Sequence, residues 1–348
     1  MRRLWRPERG VNATIALLTF LVVTGAALYG TLPTGLPDPI PASAPPTEFS
    51  SGRTLEHIWA IARNPHPMGS PENAAVRDYL VEELNALGLQ VKVQEATAAR
   101  FAIGGLVAGR PENVLARLQG ASDGDKAFLL VAHYDSVPTG PGASDDGAGV
   151  AAMLETARAL KAGLQLKNDV ILLFTDGEER GLLGAQAFAE GHPWAEDVRV
   201  VLNLEARGNS GAARLFETSD ESGWIIQQFA KAAPYPVANS GSTAGYELSG
   251  SDTDLSVFLD AGRAGMNVAY LEGVTHYHTR LDTVKELDER SLQHLGSYVL
   301  ALARQFGDAN LDQPKAPDAI FFNLLGFVVH YPTEGPSPSW RSPLRSSL

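Results

Sequence analysis

The sequence predicts an α/β fold: a mostly parallel, mixed β-sheet sandwiched by helices and preceded by one transmembrane helix. Three observations predict it. Apolar runs such as Val170–Phe174 leave no polar position for a solvent face, as strands covered on both sides require. These runs alternate with segments of helical apolar spacing, the order that yields a parallel sheet between helical layers. Residues 10–37 carry no charged side chain, and "NATIALLTFLVVTGAALYGTL" within them has about the 20 residues that a spanning helix needs.

Taken in order, the chain begins with a basic tail over residues 1–10, where Arg2, Arg3, Arg6 and Arg9 face only Glu8. A transmembrane signal anchor is expected over 11–32. The arginines should hold its start in the cytoplasm and place the rest of the chain outside. A cleaved signal peptide is the rival reading, but the apolar run exceeds the usual h-region and no clean small-x-small site follows it. Residues 33–50 are expected as a stalk, because the stretch 30–50 holds six prolines and little that could pack. The globular domain is expected over 51–308. Its helices are "TLEHIWAIAR", "PENAAVRDYLVEELNALGL", "GAGVAAMLETARALKAG", "GLLGAQAFAEG" and "DERSLQHLGSYVLALARQF"; its strands are "QVKVQEA", "NVLARL", "AFLLVAHY", "VILLFT", "VRVVLNLE" and "AGMNVAYL". The remainder, 309–348, reads as a short apolar segment too brief to span a membrane, followed by an unstructured Pro/Ser-rich tail.

Composition narrows the chemistry. With 348 residues, 44% of them hydrophobic, the chain can bury a large core, and its formal charge of −12 argues against nucleic acid as a partner. Cysteine is absent, which removes disulfides, thiolate metal sites and a Cys nucleophile. Any metal must therefore be held by His, Asp and Glu.

In an open parallel sheet functional groups collect at the carboxyl ends of strands. "FLLVAHYDS" places His133 and Asp135 there, "GPGASDDGAGV" Asp145 and Asp146, "LLFTDGEER" Glu178 and Glu179, "VVLNLEARG" Glu205, and "THYHTRLDT" His276, His278 and Asp282. Singly, each has a plain reading. Asp145 or Asp146 can cap a helix, Glu178 and Glu179 can favour the positive end of a helix dipole, and His133 can be an interior histidine. Glu205 can be a surface residue past a strand end and His278 a loop residue. Together at equivalent strand ends they are hard to assign to coincidence, because convergent carboxylates without a cation repel one another and protonate. Two Zn²⁺ ions resolve that repulsion, with two His and three carboxylates as ligands, one carboxylate bridging. Asp135 is expected to fix the tautomer of His133, and one of the adjacent glutamates to stay unligated as a base.

Through "HYDS", "GASDDGAGV", "DGEERGLLGA", "NLEARG" and "YHTRLDT" the chain resembles the M28 zinc peptidases, the dizinc aminopeptidase type, over roughly residues 54 to 306. "NPHPMGSPEN" and "NLEARG" resemble the membrane-tethered branch related to endoplasmic-reticulum metallopeptidases. The resemblance implies a zinc-exopeptidase domain of phosphorylase/hydrolase-like architecture that hydrolyses peptide bonds at free amino ends through a di-zinc-bound hydroxide. It implies His133 and Glu205 on one zinc, Glu179 and His278 on the other, and Asp145 bridging, with its peptide bond to Asp146 cis. Glu178 is then the general base and Asp135 stands behind His133. Two departures accompany it: many soluble relatives carry Asp where this chain has Glu205, and longer members of the branch continue into a multi-span region.

Two other readings stay open on the same fold, a glutaminyl cyclase and a non-catalytic ectodomain. The latter would be expected to have lost ligands, and here each position is filled. His276 reads as structural, Asp252, Asp254 and Tyr246 as cleft lining or loop polars, and Arg207 as a neutraliser of acidic neighbours. The absence of cysteine, and of N-x-S/T sequons beyond Asn12, favours a periplasmic over a lumenal setting. A reporter fused after Leu32 is expected to be active only outside the cytoplasm; a domain protected from protease in intact spheroplasts would contradict that topology.

Overall fold

The computed structural model describes residues 9–30, 35–102, 105–122 and 126–333. Most of the basic tail, the start of the expected stalk and the Pro/Ser-rich end lie outside the described residues. The chain forms two units, divided between residues 35 and 36. The first contains helix α1 (Arg9–Gly30), in which Ile15, Leu17, Leu18 and the run Phe20–Val23 are exposed. Among the described residues no helix is long and apolar enough to cross a membrane; in α1, side chains are described for residues 13–25 alone.

The second unit holds the remaining elements. They are α2 (Ser51–Ile61), α3 (Pro71–Ala86), β1 (Gln90–Glu95), β2 (Ala98–Ala102), β3 (Gly105–Gly109), β4 (Glu112–Leu118), β5 (Ala127–His133), α4 (Gly147–Lys161), β6 (Asp169–Thr175), α5 (Leu183–Gly191) and β7 (Val198–Ala206). After these come β8 (Arg214–Thr218), α6 (Gly223–Ala232), α7 (Ser240–Ser249), α8 (Asp254–Asp260), β9 (Ala264–Tyr270), α9 (Glu289–Asp308), β10 (Ala319–Leu324) and β11 (Phe327–Pro332).

Seven strands form one sheet in the order β1-β4-β6-β5-β7-β9-β8. The central four, β6, β5, β7 and β9, are parallel, and the flanking pairs are antiparallel. Strand alternation divides the interior into two cores. Phe128, Leu130, Leu172, Leu202 and Leu204 face one, shared with α2, α4, α6 and α9, while Leu129, Val131, Ile171, Leu173 and Val201 face the other, shared with α5 and α8. Successive residues of β5, β6 and β9 are thus buried on opposite faces, which is why these strands read as nearly unbroken apolar runs. All six expected strands are present.

Three features differ from the sequence expectation. Residues 36–50 are not a free stalk but a strap bound to the domain. Arg53 donates to the carbonyls of Ala42, Ala44 and Glu48, Arg158 to those of Pro46 and Glu48, and the Ile40 amide to Gln293. Phe49 ends the strap 3% exposed, in the space that glycine leaves at Gly296 of α9, where any Cβ would collide with its ring. Proline-rich backbone cannot pair in a sheet, but its free carbonyls accept from arginines, an interaction that no local pattern announces. Second, the apolar segment after residue 309 forms the β10–β11 hairpin, tied to the domain where Asn323 accepts from the Ala238 amide. Third, β8, α6, α7, α8 and the β2–β3 hairpin were not expected, being short elements whose placement rests on tertiary contacts.

Phe49→Ala is expected to destabilise the domain by about 3 to 5 kcal/mol, the range for emptying a buried aromatic site. Urea unfolding checks it; a loss within about 0.5 kcal/mol, the effect of an ordinary surface change, would return this segment to a stalk.

Candidate active site

Strand β5 is where the chain switches direction across the sheet, with β6 on one side and β7 on the other, so the loops leaving their carboxyl ends diverge and open a crevice. His133 is the last residue of β5. The loop after it returns to the crevice at Asp145, helped by Gly142, which takes φ +67° and lies so close that an added Cβ would stand 2.7 Å from the Asp145 carbonyl oxygen. The peptide between Asp145 and Asp146 is cis. Asp146 then accepts from the Gly149 amide as the cap of α4, so of the two aspartates only this one has the plain capping role. After β6, Glu178 and Glu179 lie in a tight turn, with Gly181 and Leu182 amides donating to the Glu178 carbonyl. They precede α5 by several residues and do not serve its dipole. Glu205 is near the end of β7, and His278 follows β9 with φ 58°, a left-handed conformation uncommon for a side chain of this size.

These residues meet. His133, Asp145 and Glu205 form one group, and Asp145, Glu179 and His278 a second, in each of which one ligand atom per residue lies within 4.8 Å of the others. Asp145 belongs to both: its Oδ1 is 3.2 Å from His133 Nε2 and its Oδ2 is 3.1 Å from His278 Nε2. Glu205 Oε2 is 3.9 Å from His133 Nε2, and Glu179 Oε1 is 3.1 Å from His278 Nε2. Glu178 belongs to neither group.

The surroundings hold these groups in place. His133 Nδ1 donates to the backbone carbonyl of Asp135 at 2.9 Å, whereas the Asp135 carboxylate is 3.7 Å away. The tautomer of His133 is therefore set by the main chain of Asp135, not by its side chain as expected. The Asp135 carboxylate accepts instead from the Glu178 amide at 3.1 Å and orients that turn. Asp282 accepts from the Ser144 and Asp145 amides at 2.8 and 3.1 Å, fixing the shared aspartate through its backbone. Asp176 accepts from Asn73 and from the Glu112 amide, a structural role. His276 lies apart, 3.7 Å from Glu286. Asp254, left open by the sequence, is buried and accepts from Thr175 at the end of β6. Asp282, named with His278 from the sequence, acts through backbone amides, whereas Asp254, the first residue of α8, comes from a stretch that the sequence marks only as polar.

The donor set fits divalent cations. With its Nδ1 proton committed to a carbonyl, His133 meets Asp145 through Nε2; burial lowers this imidazole, but Asp145 outweighs it and raises the ring well above its ordinary value, so a proton stands between them where a cation could take its place. Glu179 Oε1 and His278 Nε2 are buried atoms 3.1 Å apart whose angles do not make a hydrogen bond. In the absence of a cation the groups hold protons. Burial, then the neighbouring Asp145 and Asp254, push Glu205 up to about 8 against the pull of His133. Burial lowers His278, but Asp145 and Glu179 outweigh it and lift it to about 9. Burial also raises Glu178 well above the carboxylate range, with Glu205, Asp254 and Glu179 adding to it over the opposing His133.

Beside Glu205 opens a cavity of about 370 Å³. Phe216 and Tyr246, in edge contact at 4.8 Å, form part of its wall, with Tyr277, Arg207 and several hydroxyls around them. Tyr277 stacks on His278, and the Arg207 guanidinium lies 5.7 Å over the Tyr277 ring. A second cavity of about 440 Å³, bordered by Arg117, Leu160 and Leu166, contains none of the convergent acids or imidazoles.

Fold and clusters together define an α/β protein that gathers carboxylates and imidazoles able to hold cations at its strand ends. The sequence profile of peptidase family M28 matches residues 113–303. The chain is 33% identical over 302 residues to human endoplasmic reticulum metallopeptidase 1, covering 80% of this chain and 33% of that protein. It is 31% identical over 359 residues to the vacuolar membrane protease of Eremothecium gossypii, covering 94% and 34%. The chain spans about a third of the length of these curated relatives. Among solved structures, BSAP, a zinc aminopeptidase from Bacillus subtilis, superposes with a TM-score of 0.60 at 15% identity over 77% of this chain and 97% of that one. Porphyromonas gingivalis glutaminyl cyclase gives 0.60 at 22% identity, covering 73% and 98%. The chain belongs to peptidase family M28.

Because His278 and Glu205 hold protons up to about 9 and 8, zinc must displace them to bind at neutral pH. Zinc affinity is expected to rise as pH is raised from 6 to 9, with protons released on binding. Calorimetry at pH 7 in buffers of different ionisation enthalpy checks this, and a buffer-independent heat would show that these groups take no part.

Proposed function

We propose that this chain is a zinc-dependent peptidase that removes residues from the free amino ends of peptides or proteins. The observation that carries the proposal is the sharing of Asp145 between two His–Glu pairs, with Glu178 beside them and outside both. His133 and Glu205 would hold one zinc ion and Glu179 and His278 the other, with Asp145 common to both. Zinc ions there would supply Lewis acidity toward a carbonyl and lower the pKa of water.

The chain's own residues do the rest. Glu178, in surroundings that raise its affinity for a proton, takes one from the attacking water and delivers it to the departing amine. Asp135 keeps Glu178 aimed by accepting from its amide, and Asp282 keeps Asp145 from swinging away. The carboxylates at the mouth of the crevice attract a substrate's cationic amino end. The cavity beside Glu205 has room for one side chain next to the scissile bond, which supports cleavage at a terminus. We also propose that residues 11–32 anchor the chain by a single span, and that the domain from residue 36 works outside the cytoplasm. The membrane proteases named among its relatives support that placement.

Three variants test the roles. Glu178→Gln keeps size but cannot accept a proton, so turnover of an aminoacyl chromogenic substrate is expected to fall by about 10² to 10⁴ while zinc content stays near two per chain. Glu179→Gln is expected to lose zinc first and regain activity partly at high zinc. Asp176→Asn is expected to lower thermal stability, since its partners are Asn73 and Glu112, and to leave turnover near wild type. Loss of zinc in Glu178→Gln with retention in Glu179→Gln would reverse the assignment. Cyclisation of amino-terminal glutamine with release of ammonia, in place of residue removal, would replace the peptidase reading by a cyclase.

A further inference from the structure

Strands β7, β9 and β8 lie side by side, and their register sets Asn203 against Asn267 and Asn267 against Glu217. All three are buried, at 0%, 0% and 2% exposure. They form a buried polar row across the three strands, on the face that carries Val201 and Glu205 and packs toward α8. Burying two amides and a carboxyl group there is unfavourable unless each is hydrogen-bonded.

The bonds run in one direction. Asn267 Nδ2 donates to Glu217 Oε2 at 3.2 Å and to Thr253 Oγ1 at 2.8 Å, which turns its Oδ1 toward β7. Asn203 Nδ2 meets that oxygen at 3.3 Å and gives its other hydrogen to Glu205 Oε1 at 3.2 Å. Reversing either amide would set two acceptors against each other. The acceptors on β8 and at the start of α8 therefore dictate which end of Asn203 faces Glu205, and Asn203 occupies one oxygen of that carboxylate. Glu205 Oε2 remains, directed toward His133.

We propose that Asn203, oriented by Asn267, Glu217 and Thr253, is a positioning residue that reserves Glu205 Oε1 and leaves Glu205 a single oxygen with which to bind zinc. This rests on the zinc reading given above. Glutamate is longer by one methylene than aspartate, and has a further torsion to fix. The Asn203 bond removes that freedom, so the longer side chain behaves as a rigid one-oxygen ligand. An aspartate at 205 would fall short of Asn203 and would not depend on it.

The test is a double-mutant cycle in zinc affinity on the full chain, measured by chelator competition, with Asn203→Leu, Glu205→Asp and the pair. Leu keeps the volume of the amide and limits any cavity. Asn203→Leu alone is expected to weaken one of the two zinc ions by about 10- to 100-fold, the range for losing a group that orients a ligand. In the Glu205→Asp background the same change is expected to alter affinity by less than about threefold, since coupled neighbours lose their interaction once. Should Asn203→Leu fail to fold, Asn267→Leu, one bond further from the metal, is expected to show a smaller loss that Glu205→Asp likewise abolishes. Two zinc ions of unchanged affinity in the Asn203 variant would overturn the inference and leave the zinc reading standing. Equal losses in both backgrounds would overturn it too, because they would mark a general effect on the sheet. A wild-type chain that binds no zinc would overturn the reading beneath it.

Discussion

The structure is organised around one electrostatic constraint: carboxylates and imidazoles are held within a few ångströms of Asp145 in a place where all but His278 are largely shielded from water. Left alone, such groups would move apart or take up protons. They cannot move apart, because most are held by bonds to the main chain or to strand-borne amides. Asp282 binds the amides of Ser144 and Asp145, the carbonyl of Asp135 fixes the His133 ring, the carboxylate of Asp135 holds the Glu178 turn, and Asn203 holds Glu205. What remains adjustable is charge, through protons or through a cation. The upward shifts of Glu205, His278 and His133 express the first solution, and the meeting of two imidazoles on the two oxygens of Asp145 the opening for the second.

The sheet makes this rigidity possible. Four parallel strands buried on both faces present their carboxyl ends to one crevice, and each contributes from its last residues or the loop that follows. A strand end inside a buried sheet moves little, so a side chain there is aimed by the whole core. The same rigidity lets polar residues be buried in register, as Asn203, Asn267 and Glu217 are, since a ladder between neighbouring strands pairs their amide hydrogens and leaves only Asn203 Oδ1 of the two amides without a partner. Asp146 and Asp176 show the contrast. They adjoin the site in sequence, yet one caps α4 and the other ties α3 and β4 to the turn after β6.

The boundary of the domain follows from packing more than from composition. Residues 36–50 have the proline content of a linker, but their carbonyls are bound by Arg53, Arg158 and Arg304 and their last aromatic is buried against Gly296. Glu155, itself buried, draws Arg53 and Arg158 together beneath the strap. At the other end the β10–β11 hairpin adds a small sheet whose inner Phe321 and Val328 complete the core beside α6.

The sequence by itself determined the parallel strands, the helices between them and the identity of the convergent residues. Those properties are local or repeat along the chain: apolar runs without a polar position, helical spacing, and motifs in which His133, Asp145, Glu178, Glu179, Glu205 and His278 follow strands. It did not determine which part of Asp135 touches His133, because an i, i+2 relation brings both the carbonyl and the carboxylate near and only the loop geometry chooses. Nor could it reveal Asp254 or the Asn203–Asn267–Glu217 row as partners of the site, or that Asp282 acts through the amides of Ser144 and Asp145. Their partners are 14 to 138 positions away along the chain or, for Asn203 and Glu205, two positions apart on one strand where many pairs never bond. The strap and the hairpins were decided by tertiary structure for the same reason. A carbonyl that accepts from a distant arginine, or a ring that fits over a distant glycine, leaves no period in the sequence, and only the closed fold brings the two halves of such an interaction together.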